Sequence, residues 1–278
     1  MNLQLINENL MNRERIFTAE LVVNHKNNQD VDCILMKEEG NAVGFNIPLQ
    51  FLENKSDEEI ADVIYDLASN EQVCFDVEKL ASEQYIADNI FVKLMNKQNM
   101  KWLDEQDIVY DVISDDVLAV YAVLVYELEQ GFACYNLHWK QIENTIYGDE
   151  FRYIAFENMA ESAEIISMTE ILLGNGFDDD PCVIVSNKYR TWGAGSIVSP
   201  AVRLRVFEKL HEDFYIIPSS VHEVICMRKS FAISNDQLYS MIKEVNETVV
   251  DVRDRLSDYP LLAEYDPEKD FVKLLSVM

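Results

Sequence analysis

Positive charge is what this chain has least of. Across 278 residues, 23 Lys and Arg face 50 Asp and Glu, a formal charge of −27. A field of that sign repels nucleic acid and anionic membrane surfaces unless the few cations gather in one place, so direct nucleic-acid binding is not expected. Paired metal ligands are missing as well. The five cysteines, Cys33, Cys74, Cys134, Cys182 and Cys226, stand tens of residues apart, and the sequence holds neither a Cys-x-x-Cys nor a His-x-x-x-His pair. Zinc sites draw their ligands from such pairs, so no metal site is expected; isolated thiols in apolar settings read as reduced core cysteines in a cytoplasm. The acidic run Asp178-Asp-Asp180 lacks the alternation and closing glutamate of a calcium loop. No apolar run approaches the ~20 residues that cross a bilayer, and residues 1–10 lack a basic segment followed by an apolar one. The expectation is a soluble cytoplasmic protein with no membrane contact and no export signal.

Core-forming material is plentiful, at 49% hydrophobic and 10% aromatic residues. Three β-rich runs, 17–23, 32–36 and 42–47, separated by turn-forming segments, predict an antiparallel meander. Ser56-Asp-Glu-Glu59 has capping-box spacing, and Ile60, Val63, Ile64 and Leu67 follow at i, i+3, i+4 and i+7, so an amphipathic helix covers the meander. Farther on, the pattern predicts helices at 83–87, 150–159 and 163–173 and strands at 90–94 and 108–113. The continuous apolar run 118–126 fits either a strand or a buried helix. Gly174-Asn-Gly-Phe-Asp-Asp-Asp-Pro181 breaks the chain and marks a boundary between an N-terminal region, 1–174, and a C-terminal region, 175–278, although the two can equally form one continuous domain.

Beyond that break, strands are expected at 182–186 and 195–198, then a helix from 200 to about 211 with Ser199 as N-cap and Pro200 as its first residue. Strands at 214–217 and 221–227 come next, and a second capping box, Ser234-Asn-Asp-Gln237, opens a last helix. The fold class is α+β: antiparallel sheets with helices packed on one side, an N-terminal β-meander plus helix and a C-terminal β-β-α-β-β-α unit.

Candidate chemistry concentrates in Tyr215-Ile-Ile-Pro-Ser-Ser-Val-His-Glu-Val-Ile-Cys-Met227. Ser219, Ser220, His222 and Glu223 are the residue types of a hydrolase nucleophile and base. Read as a strand from Ser220, alternation sends His222 and Glu223 to opposite faces. Residues two apart are then too widely spaced for the Ser–His bond of about 2.6–3.2 Å that nucleophilic catalysis needs. A Gly-x-Ser-x-Gly elbow is also absent. The competing reading is a turn at Pro218-Ser-Ser220 feeding a buried strand, with His222 and Glu223 bonded to neighbouring elements.

A ligand site is the third reading. The window 188–229 holds seven basic residues, Lys188, Arg190, Arg203, Arg205, Lys209, Arg228 and Lys229, against four acidic ones, and contains the glycine-rich Trp192-Gly-Ala-Gly-Ser196. Lys188, Arg190, Asn187 and the backbone at Gly193 and Gly195 are therefore candidate anion ligands. The full Gly-x-Gly-x-x-Gly fingerprint is absent, and no cofactor is implied.

Taken together, Val183-Ile-Val-Ser-Asn187, Gly193-Ala-Gly-Ser-Ile-Val-Ser-Pro200, Phe214-Tyr-Ile-Ile-Pro-Ser-Ser-Val-His-Glu-Val-Ile225 and Glu244-Val-Asn-Glu-Thr-Val-Val250 resemble the motifs of a family of acidic proteins of about this length from anaerobic Firmicutes, known only as a domain of unknown function. Two positions depart from that pattern: Ser199 stands where the family has Tyr, and Gly195 where it has Ala. The resemblance implies a bacterial, cytoplasmic protein in an accessory or mobile-element setting and directs attention to Asn187, Gly193, Ser219, Ser220, His222, Glu223 and Asn246. It implies no activity. The leading functional reading is a non-enzymatic protein acting through contacts with a protein partner. The alternatives are a small-anion binder or hydrolase-like enzyme using Ser219, Ser220 and His222, and an acidic decoy that fills the groove of a DNA-binding protein.

Overall fold

Asn2 opens the first helix, α1 (Leu3–Met11), by accepting the amides of Gln4 and Leu5 at 3.1 and 3.4 Å. The structure is a computed structural model and describes residues 1–41, 44–69, 77–128, 131–143, 148–174, 179–218, 220–231 and 234–276. The chain divides into two units, Met1–Ser82 and Glu83–Met278.

In the first unit the expected meander is present: β1 (Phe17–Lys26), β2 (Gln29–Glu38) and β3 (Gly44–Pro48) lie in that order, all antiparallel. The β1–β2 turn is tighter than the sequence suggests. Lys26 pairs with Gln29, so only Asn27 and Asn28 form it, and Asn28 takes the left-handed conformation that asparagine tolerates. The expected capping box starts α2 (Asp57–Ser69): Glu59 N donates to Ser56 Oγ at 3.2 Å, and the Ser56 amide donates to the Glu59 carboxylate at 2.7 Å. Ile60, Ile64 and Ala68 then bury against Ile6, Leu10, Phe17, Ile34 and Met36. A short helix, α3 (Val77–Leu80), ends the unit.

The second unit begins with α4 (Glu83–Asn89), β4 (Ile90–Asn96), α5 (Met100–Glu105), β5 (Tyr110–Val112), β6 (Val117–Leu128), β7 (Gly131–Asn136) and the one-turn α6 (Trp139–Ile142). The ambiguous run 118–126 is strand: β6 pairs β4 along one edge and β5 and β7 along the other. Buried on both faces, it is continuously apolar, which is why periodicity cannot separate strand from helix there.

Then come α7 (Phe151–Ser162), β8 (Ala163–Ser167), α8 (Met168–Leu173), β9 (Cys182–Asn187), α9 (Pro200–Leu210), β10 (Phe214–Ile217), β11 (Val224–Arg228), α10 (Asn235–Thr248), β12 (Leu261–Asp266) and β13 (Phe271–Ser276). Six strands form one antiparallel sheet in the order β13-β12-β10-β11-β9-β8, so β8 and β9, which lie on either side of Gly174 in the chain, are neighbours in a single sheet. The fold is thus α+β, with helices on both faces of this sheet. Phe214 and Ile216 of β10 pack with Val202 and Val206 of α9, whereas Tyr215 and Ile217 turn to Leu238 and Ile242 of α10.

Four local expectations change. Residues 163–167 are strand rather than helix, because Ile165 and Ile166 pair with Val185 and Ile184 of β9 and this pairing overrides a helical pattern. Residues 193–198 are 3-10 turns, not a strand. The strand after Ser220 starts only at Val224, so His222 and Glu223 lie in its lead-in and strand alternation does not govern them. At α10, Ser234 accepts the Gln237 amide at 3.3 Å, but the Gln237 side chain takes the serine hydroxyl rather than closing the box. The final hairpin, β12 and β13, extends the expected β-β-α-β-β-α order.

Helix α9 explains the basic window. The Arg203 guanidinium, 5% exposed, donates to Val272 O of β13 at 2.9 Å and to Ile197 O and Val198 O at 3.1 and 2.7 Å. Burial alone pushes its pKa down to about 10. Arg205 donates to Ala160 O and Ala163 O, and Lys209 to Ile165 O at 2.9 Å. One helix therefore tethers both terminal strands of the sheet, and two of its cations occupy carbonyls of the edge strand β8, where another chain would otherwise pair.

Candidate functional site

The residues singled out by sequence converge on one knot where β9, the 3-10 turns and the segment before β11 meet. Gly193 is required there by close approach. A Cβ at this position would collide with Ser186 Oγ and lie 2.6 Å from His222 O and 2.7 Å from Asn187 N. Gly195 is tighter still, since a Cβ there would run into Val92 O of β4. The amides of this stretch face inward: Ala194 N donates to Val221 O and Gly195 N to Trp192 O, both at 3.3 Å, and residues 193–198 are all buried. The turn thus binds its own chain where a phosphate cradle would need free amides.

Asn187 closes the loop after β9. Its Oδ1 accepts from Tyr189 N and Thr191 N, and its Nδ2 donates to Thr191 O. Lys188 lies 3.7 Å from Glu127 Oε1, and Arg190 pairs with Glu164 at 2.7 Å. The remaining cations of the window are engaged as well, Arg228 with Asp179 and Lys229 with Glu264 and Asp213. The cations of this window are thus engaged within the chain, four by carboxylates and three by backbone carbonyls.

Ser219 lies outside the described residues. Ser220 Oγ accepts the His222 amide at 3.1 Å, and Ser186 Oγ donates to His222 O at 2.8 Å, so neither hydroxyl is bonded to the imidazole. His222 Nδ1 takes the Trp192 amide at 3.4 Å, which places the proton of the neutral ring on Nε2, 3.4 Å from Asp254 Oδ1. The histidine side chain is 39% exposed. The Asp254 backbone holds this segment too, since Val221 N donates to Asp254 O at 2.8 Å. Among the described residues no hydroxyl or thiol hydrogen-bonds to the His222 ring. Glu223, half-buried, hydrogen-bonds to no other described residue. A histidine–carboxylate pair is therefore present without a nucleophile on it, and its carboxylate comes from a segment that no sequence motif connects with His222.

Asn246, buried at the end of α10, donates to Ser257 O at 3.0 Å and to Asp258 Oδ1 at 2.8 Å, which ties the helix to the segment leading into β12.

A cleft of about 380 Å³ opens beside this knot, lined from the end of α4, from β4, β6, β7 and α7, and from the end of β9 and the loop after it. Phe91 and Met159 are buried at its base, and Phe91, Phe132 and Tyr189 meet edge to face in sequence, with centroids 5.0 and 5.2 Å apart. Asp88, Glu127, Glu161 and Lys188 supply its charges. The Lys188 ammonium sits 4.7 Å from the Tyr189 ring centre, and the phenol donates to Glu127. Burial and that carboxylate raise the Tyr189 pKa. Of the sequence candidates among the described residues, only Asn187 and Lys188 reach this cleft. Its aromatic lining comes from two strands, through Phe91 of β4 and Phe132 of β7, and from the loop after β9, through Tyr189, and no local sequence signal marks the three as one surface.

Among the described residues no helix is long and apolar enough to cross a membrane, and no group of His, Cys, Asp and Glu is gathered as a metal site. The sequence model of DUF5688, a family of unknown function, matches residues 4–262. No curated protein and no solved structure matches the chain.

Proposed function

The chain belongs to DUF5688, a family of unknown function, and on that premise we propose that it is a non-enzymatic bacterial protein that acts in the cytoplasm by binding a protein partner. The carrying observation is α10. This 14-residue helix buries Leu238, Ile242 and Asn246 and leaves Met241 and Val245 exposed, followed by its C-cap Val249, 77% exposed, and Val252. Exposed Glu244 lies next to Val245 in the chain, and Asp251, already paired with Arg253, follows Val249. An exposed apolar strip of this kind suits a partner that offers an apolar ridge. The free thiols of Cys33, Cys134, Cys182 and Cys226 fit a reducing compartment.

The test is affinity capture from host lysate, comparing the wild type with a Val245→Asp, Val249→Asp variant whose fold is checked by circular dichroism. The reading expects a partner held by the wild type and lost from the variant. An identical captured set from both proteins sinks it.

One observation favours a hydrolase-like enzyme as the second reading: His222 is half-exposed and faces Asp254. That reading requires a hydroxyl brought onto the imidazole by a substrate. Turnover of an ester panel that vanishes in His222→Gln is its signature, and wild-type inactivity across the panel removes it.

A further inference from the structure

We propose that the cleft beside the knot receives the guanidinium side chain of an arginine presented by the partner protein. This deepens the protein-contact reading, on which it rests for the source of the arginine, but it uses a surface separate from α10.

Three features select an amphipathic cation. The base is apolar and aromatic, through Phe91, Met159 and Phe132, and matches an alkyl stem. The rim carries three carboxylates against one ammonium, in a chain that is already acidic, so the cleft attracts cations and repels anions. Third, the protein places its own cation in this setting: Lys188 lies over the Tyr189 ring and beside Glu127. That internal pair leaves Asp88 and Glu161 at the rim. Asp88 accepts from Gln84 at 2.8 Å, and exposed Glu161 hydrogen-bonds to no other described residue. Arginine fits this arrangement better than lysine, because its planar fork can engage a carboxylate through two donors while its face stacks on an aromatic ring.

The test is a ¹⁵N NMR titration of the full chain at low salt with three blocked Gly-X-Gly peptides, where X is arginine, citrulline or glutamate. Expected are saturable shifts around Phe91, Glu127, Phe132, Glu161 and Lys188 with the arginine peptide only. Citrulline keeps the shape and removes the charge, so equal binding of the citrulline peptide, stronger binding of the glutamate peptide, or shifts elsewhere on the chain overturns the proposal. Combining Glu161→Gln with Asp88→Asn weakens the arginine peptide about fivefold, the scale of surface ion pairs. Both side chains lie at the surface rather than in the core, so the fold is retained; unchanged affinity overturns the assignment of these carboxylates. Free agmatine binding as tightly as the peptide reassigns the cleft to a small cation and overturns the protein source. The Val245→Asp, Val249→Asp variant should keep peptide binding while losing partner capture, so failure of the α10 reading and failure of the cleft reading are separable.

Discussion

The knot around Gly193 and His222 and the cleft next to it share Asn187, yet they treat polar groups in opposite ways. In the knot, Ser186, Asn187, Ser220, His222 and the amides of 192–195 mostly bond to one another or to nearby backbone. In the cleft, Asp88, Glu127, Glu161 and Lys188 remain at the solvent edge above a packed aromatic base. Motif-rich sequence marks the first region and almost nothing marks the second. Serine, histidine and glycine close together in sequence here record a demand for close backbone packing, whereas the surface able to meet a ligand is assembled from scattered residues.

Gly195→Ala tests the packing half of this contrast most severely. Its methyl group would fall on Val92 O, so a loss of about 3 kcal/mol or more in urea denaturation is expected, beyond the ordinary cost of overpacking. Gly174→Ala, at φ +74° but with open space around it, is the control and should cost about 1 kcal/mol. Equal losses would mean that the knot yields.

Asp180 secures the β8–β9 connection at one end of the same sheet. Burial works to raise its pKa, but bonds from Ser167, from the Thr169 hydroxyl and amide and from Cys182 N overcome this and hold it at about 2, below the ordinary 3.8. A depressed carboxyl stabilises the fold above its unfolded pKa and loses that contribution as pH falls through the folded one. Asp180→Asn should therefore cost about 2 kcal/mol at pH 7, with the gap from wild type closing between about pH 4 and pH 2 in thermal unfolding. A gap that stays constant with pH would show that the ionised form is not what the four bonds hold.

His222→Ala is expected to cost about 1 kcal/mol, the worth of one ordinary hydrogen bond, because the Trp192 amide loses its acceptor. The smallest effect belongs to the cleft: Glu161→Gln should change stability by less than about 0.5 kcal/mol, as exposed sites do, while weakening a cationic ligand. A larger effect on stability there would erase the distinction between the two regions.

Much of the fold is legible where neighbours in sequence suffice. The Ser56 capping box, the Ile60 and Ile64 positions of the helix face and the meander hold, since each needs only residues within about a turn or a hairpin, whereas Leu67 stays exposed and Ala68 takes the buried place. The candidate site is less legible. The Trp192-to-Ser196 stretch reads equally as a strand or an anion loop until β4 passes beneath Gly195. The basic window reads as an anion patch until α9 turns Arg203, Arg205 and Lys209 onto strand carbonyls. Asp254 meets His222 from far along the chain, with no spacing rule to announce it.

By itself the sequence determined the acidity, the α+β class, the capped helices and the clustering of small polar residues before β11, because composition, periodicity and capping act through the covalent neighbourhood. Tertiary structure alone decided that 163–167 is a strand and that the cations of α9 tether the sheet. It also decided that His222 holds Trp192 and Asp254 without a nucleophile, and that Phe91, Phe132 and Tyr189 wall a cleft. Each of these depends on which distant groups come within a few ångströms, and burial and hydrogen-bond satisfaction settle that only once the whole second unit has packed.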